Sequence, residues 1–291
     1  MCVFFSSIYS LLMYPHPHPV TLFYHLHPSL SLSRPPCTTC LHGQVEQARS
    51  ILDPGLSPLG MQQAQATYDN VILADAIAAA EVEGEVLVVI SPLRRTIQTA
   101  MGALEAWLQQ LQAAGKPARI ALAPDIQETG NVQCDTGRPP ADLRQEFGED
   151  HPHLPYDALA ADWHVKQGRY VDSGPALAAR LAAFTTWLQQ QRERTVIVVA
   201  HHNVFLALLG VSFTNCEVRQ YSLHDHHPLP RSAGADDMPL TAVWRPVQPT
   251  VSTSDEELTE EEAAWLRNPT MQRHCVEKME RWGFAMPERL R

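Results

Sequence analysis

From residue 85 onward the chain alternates short apolar runs with longer segments of helical period. EVLVVIS, 85–91, is a continuous β-branched run, as expected of a strand buried on both faces. LRRTIQTAMGALEAWLQQLQAA puts apolar residues at 97, 100, 101, 104, 107, 108 and 111, along one face of a helix. ARIALAP predicts a second short strand, PALAARLAAFTTWLQQQRER another amphipathic helix, and TVIVVAHH a third buried strand. Upstream, the stretch ending in VILADAIAAA predicts a long helix, with Ser57 as its N-cap and Pro58 at the first helical position. Strands alternating with helices of this length imply βαβ units. The expected fold is α/β, a three-layer sandwich with a mainly parallel central sheet flanked by helices. Residues 130–172 are longer and weakly periodic, so they read as an insertion carrying a short helix or two.

The two ends of the chain differ from this middle. MCVFFSSIYSLLMY is apolar but too short to span a bilayer, and it has no basic flank. Its length would also suit a secretory signal, which stays open as an alternative. The following PHPHPVTLFYHLHPSLSLSRPP mixes proline, histidine and serine without helical or alternating period. Its histidines at 16, 18, 25 and 27 lack carboxylate or cysteine partners at metal spacing, so a disordered tract is expected rather than a metal site. Residues 1–36 are therefore expected to stand outside the fold. The domain would run over 37–246, with CTTCL as its first strand and MPLTAVW as a last edge strand. Residues 247–291 read as a helical extension, with helices starting in SDEELTEEEAAWLRNP and PTMQRHCVEKMERWGF.

Composition narrows the function classes. A chain of 291 residues with 45% hydrophobic content can bury a large core. Its formal charge of −10 argues against nucleic acid or an anionic membrane surface as partner. Six scattered cysteines and the absence of an Asn-x-Ser/Thr sequon fit a reducing, cytoplasmic setting. Cys37 and Cys40 form a CxxC without a second ligand pair, so no metal is expected there. The oligomeric state is not legible.

In an open parallel sheet, ligands bind beyond the carboxyl ends of the strands. After the expected first strand come His42, Gly43 and Gln44; after EVLVVIS come Arg94 and Arg95, on the first turn of a helix whose free N–H groups favour an anion. Glu128 follows ARIALAP, and His201 with His202 closes TVIVVAHH. A lone histidine is usually structural, and a helix arginine usually a solvated one. Four such residues at four strand ends point to chemistry.

These residues also carry a resemblance. LHG at 41–43, DPGLSPLGMQQA at 53–64, SPLRRTIQTA at 91–100, IQE at 126–128 and VVAHH at 198–202 resemble, in order, the motifs of the histidine phosphatase superfamily, the phosphoglycerate-mutase-like proteins. CDTG at 134–137, WHVKQGRY around Lys166 and NCEVRQYSL at 215–223 look most like fungal members of unsettled substrate. The resemblance implies a metal-independent, cofactor-free phosphatase acting on a small phosphorylated metabolite. His42 would be the nucleophile, with Glu128 as acid and base and His201 as a further catalytic donor. Gly43, Gln44 and Arg95 would bind phosphate, and Arg138, Lys166 and Arg169 are candidates for contacting the substrate. A mutase is less expected, because no feature would hold a phosphorylated product for reorientation.

Two positions depart from the family pattern. Leu41 stands where the family has arginine, and Ala48 where it usually has a phosphate-holding asparagine. Losing one preorganised donor typically lowers the rate by roughly 10²–10³, so weakened turnover is expected. Two explanations compete. One is an inactive phosphatase fold that binds a phosphorylated ligand or a partner. The other, favoured here, is that residues 1–41 are not the natural start of the domain, because Pro35 and Pro36 make LSRPPCTTC a poor central strand.

Overall fold

The computed structural model describes residues 18–25, 50–210, 213, 215–223, 244–246 and 269–283. Within them one six-stranded sheet has the order β3-β2-β4-β1-β5-β6. The strands are β1 (His18–His25), β2 (Val86–Ile90), β3 (Arg119–Leu122), β4 (Thr195–His201), β5 (Val218–Leu223) and β6 (Trp244–Pro246). β3, β2, β4 and β1 run parallel, and β5 returns antiparallel to β1. Helices α1 (Pro58–Ala66), α2 (Val71–Glu83), α3 (Arg94–Ala113), α4 (Pro140–Phe147), α5 (Gly174–Gln189), α6 (His202–Leu209) and α7 (Pro269–Trp282) complete the layers.

The unbroken apolar runs have the expected cause. In β2, Leu87 and Val89 face one core while Val86, Val88 and Ile90 face the other. β4 divides in the same way, Val196, Val198 and Ala200 against Ile197 and Val199. One core lies under α5 and α6, with Leu181, Phe184 and Phe205; the other lies under α2 and α3, with Leu73, Leu104 and Trp107. Each fully buried aliphatic or aromatic side chain stabilises by roughly 1.5–3 kcal/mol, so a strand used on both faces holds three layers together. No helix among the described residues is long and apolar enough to cross a membrane.

Two expectations are corrected. The place between β4 and β5 is taken by HPVTLFYH at 18–25, within the stretch assigned outside the fold. Residues 37–41 lie outside the described residues. The physical reason is compositional: Val20 and Thr21 are β-branched, Phe23 and Tyr24 are aromatic, and Pro19 sits near the strand's entry, where a missing ladder donor is tolerated. The single long helix is instead two. Asn70 interrupts it by accepting from the backbone N–H of Ile72 and Leu73 at 3.0 and 3.4 Å, which caps α2 and ends the previous turn. The last strand is described over Trp244–Pro246, and residues 238–243 of the expected MPLTAVW lie outside the described residues. Of the two C-terminal helices, the one expected from SDEELTEEEAAWLRNP lies outside the described residues. The other, α7, packs on the core, with Met279 and Trp282 buried and the Trp282 indole N–H 3.3 Å from Asp172 Oδ1.

Candidate active site

The carboxyl ends of β2, β3 and β4 bring the site residues together. β2 runs into Ser91, whose backbone N–H donates to Val199 O at 2.9 Å and ties the two central strands at their rim. Thr96 then folds its hydroxyl back on the carbonyls of Ser91 and Leu93, both at 2.7 Å, and fixes the entry into α3. This turn sends the two arginines opposite ways. Arg95 is 2% exposed and points inward, its guanidinium donating to Cys134 O at 2.6 Å and lying 3.4 Å from Asp135 Oδ1. Arg94 turns to the rim, where it pairs with Glu146 and donates to Asp53 O at 3.1 Å.

His201 ends β4, 1% exposed, with Nε2 2.7 Å from Ser91 Oγ. Its Nδ1 has no hydrogen-bond partner among the described residues. Burial, and then the Arg95 guanidinium, hold its pKa well below the usual histidine range, so the ring is neutral at physiological pH. In the tautomer in which Ser91 donates to Nε2, the ring proton sits on Nδ1, the nitrogen without a partner among the described residues. Sequence reasoning passed over Ser91, although it occupies a strand end like the others. His202 starts α6 and directs Nδ1 to Phe213 O at 3.3 Å, on a different contact from His201.

The turn after β3 presents Glu128, 6% exposed, with Oε1 accepting from Thr129 N at 2.8 Å. Arg180 of α5 holds this turn from behind, donating to the carbonyls of Asp125 and Gln127 at 2.7 and 2.8 Å. The insertion supplies the remaining wall. Gln127 donates its amide to Trp163 O at 3.0 Å and accepts from Lys166 Nζ at 2.8 Å, while the same ammonium reaches Glu128 O at 2.7 Å. Burial, then the neighbouring Arg180 charge, pull the Lys166 pKa down to about 7. The Cys134 thiol is pushed up to about 12, chiefly by burial, so this residue serves Arg95 through its carbonyl, not its sulfur.

Asp53 closes the rim. It is fully buried at a φ of 44°, where Asp and Asn are among the tolerated residues, and its Oδ1 accepts from Arg94 N at 3.0 Å, at the first turn of α3. Its Oδ2 has no partner among the described residues, and burial raises its pKa to about 6 against the pull of Arg95 and Arg94.

Of the expected site residues, Arg95, Glu128, His201 and Lys166 converge, each feeling the charge of others in the group. Arg138 sits apart on the Glu146 rim, donating to Leu52 O at 3.3 Å, and Arg169 is largely exposed and paired with Asp125 at 2.7 Å. His42, Gly43 and Gln44 lie outside the described residues, as do Leu41 and Ala48.

One family model matches more than half of the chain. The sequence model of the "Histidine phosphatase superfamily (branch 1)" matches residues 41–229. A "Phosphoglycerate mutase-like protein" of Arabidopsis thaliana is 26% identical over 209 residues, covering 60% of this chain and 74% of that protein. Among solved structures, "Mycobacterial hydrolase 1" shares 20% identity over 72% of this chain and 93% of its own, with a TM-score of 0.37.

Proposed function

Because the chain belongs to the histidine phosphatase superfamily, we propose that it hydrolyses a small phosphomonoester through a phosphohistidine on His42. The observation that carries this reading is the convergence of buried Arg95, neutral His201 and buried Glu128 at three neighbouring strand ends, in the family's motif order. In the first step the His42 imidazole attacks phosphorus while the phosphorus–oxygen ester bond breaks. Glu128 gives its proton to the departing alkoxide. In the second, Glu128 as carboxylate takes a proton from water, whose oxygen displaces the histidine and releases inorganic phosphate. Arg95 holds the equatorial oxygens with its planar fork, and His201 donates to them from Nδ1.

Leu41 favours a second reading, a phosphatase fold that binds a phosphorylated ligand without turning it over. The two separate on one assay. Turnover of a generic aryl phosphate at mildly acidic pH is expected to fall to background in His42→Ala. Hydrolysis that survives this substitution removes His42 as nucleophile, and a wild-type chain that binds phosphate without turnover leaves the binding reading.

A further inference from the structure

We propose that Ser91 is a positioning residue that sets the tautomer of His201, so that the ring presents an N–H, not a lone pair, to a bound phosphoryl group. The phosphoryl group rests on the phosphatase reading above; the tautomer stands without it. Ser91 and His201 come together because β2 and β4 pair in parallel with Ile90 beside Val199, which leaves the residues just beyond at one rim. Ser91 is gripped through its backbone, its N–H donating to Val199 O at 2.9 Å and its carbonyl accepting from Thr96 Oγ1 at 2.7 Å. Its hydroxyl meets His201 Nε2 at 2.7 Å, and both residues are fully buried.

The protons at this contact decide its direction. In a neutral imidazole one nitrogen carries the hydrogen and the other accepts. Were the hydrogen on Nε2, the ring would donate to Ser91 Oγ. Two buried groups would then go unmet among the described residues: the hydroxyl hydrogen, since Oγ has no other partner there, and the Nδ1 lone pair. With the hydrogen on Nδ1, Ser91 donates to Nε2, and the Nδ1 hydrogen alone is left over. Every unmet polar group in a buried site is costly, so the second arrangement is favoured. It also suits the ligand. Phosphoryl oxygens are acceptors, and a lone pair aimed at them repels where an N–H binds. The ring has no second route to a donor at Nδ1, because burial and then the Arg95 guanidinium oppose its protonation. A neutral hydroxyl on the next strand end thus supplies what a charge on the ring cannot.

The test is nitrogen magnetic resonance of the full chain carrying isotope-labelled histidine, with the His201 signals identified by their loss in His201→Gln. In the ligand-free wild type the hydrogen is expected on Nδ1 and a bare nitrogen at Nε2. Ser91→Ala should move the hydrogen toward Nε2. Ser91→Thr, which keeps the hydroxyl, should hold it on Nδ1, whereas Ser91→Val, of the same shape without the hydroxyl, should not. Orthovanadate affinity by calorimetry should follow the tautomer: about tenfold weaker in Ser91→Ala and Ser91→Val, and within about threefold of wild type in Ser91→Thr. A wild-type ring protonated at Nε2 overturns the proposal without any variant, and so does a hydrogen that stays on Nδ1 in Ser91→Ala. Equal vanadate losses in Ser91→Thr and Ser91→Val would reduce Ser91 to a packing role. A shifted tautomer with vanadate affinity unchanged would deny that the Nδ1 hydrogen serves the anion. A wild type that shows the Nδ1 tautomer yet binds no vanadate removes the phosphatase reading instead, and the positioning role falls with it.

Discussion

Asp53 has the most unusual setting of any carboxylate on the rim: fully buried, half unpartnered, and left-handed in backbone. Its folded pKa of about 6 lies above the ordinary 3.8, so between those values the folded chain holds a proton that the unfolded chain has released. Stability from this group is therefore fully present below about 3.8 and lost as pH rises through about 6. Asp53→Asn keeps the acceptor for Arg94 N and tolerates the same φ, but cannot ionise. Melting curves at pH 7.5 are expected to show it more stable than wild type by up to about 3 kcal/mol, with the difference vanishing near pH 4. A wild type whose stability does not change over that range would place the Asp53 charge in water. The sequence shows Asp53 only as the first letter of a motif. Nothing in its neighbours announces that a turn will bury it against Arg94. The strand-end rule found Arg95, Glu128 and His201 because a parallel sheet delivers its C-terminal residues to one edge. Ser91 obeys the same rule, yet serine carries no charge to draw attention.

At the scale of elements, the insertion shows why two separated motifs belong together. A Cβ at Gly137 would lie 2.1 Å from Trp163 Cη2, so the last residue of CDTG and the first of WHVK occupy one space. Trp163 then offers its carbonyl to Gln127, which carries Lys166. Gly137→Ala is expected to destabilise by roughly 1–3 kcal/mol through overpacking, and by much less in a Trp163→Leu background. Urea midpoints of the four chains measure this, and equal losses in both backgrounds would deny the contact. The sequence could not foretell it, since weak periodicity hides which loop leans on which. The buried runs of β2 and β4 were legible because they are apolar without a break. β1 was not, for its five good strand residues sit among prolines and histidines that read as a tract without structure. The split between α1 and α2 was missed because Asn70 acts through a side-chain cap, which helical period alone does not register.

At the scale of the whole molecule, the two ends of the described chain are tied into the middle. α7 lays Trp282 O against Gly174, where a Cβ would stand 2.0 Å away, and buries the indole beside Asp172 at the end of the insertion. Trp282→Ala is expected to lose about 3–5 kcal/mol, the range for emptying a buried aromatic site. A chemical-denaturation midpoint unchanged by that substitution would show that α7 adds nothing to the core. β1 has a longer reach. It fills the middle of the sheet between partners at 196–201 and 218–223, so the ribosome emits this strand long before either neighbour exists. Until β4 has left the exit tunnel this strand has none of its ladder formed, and until β5 follows its second edge stays unpaired. The interval in which residues 195–223 emerge is thus when a pause in elongation would decide between threading the central strand and losing it to a neighbouring chain.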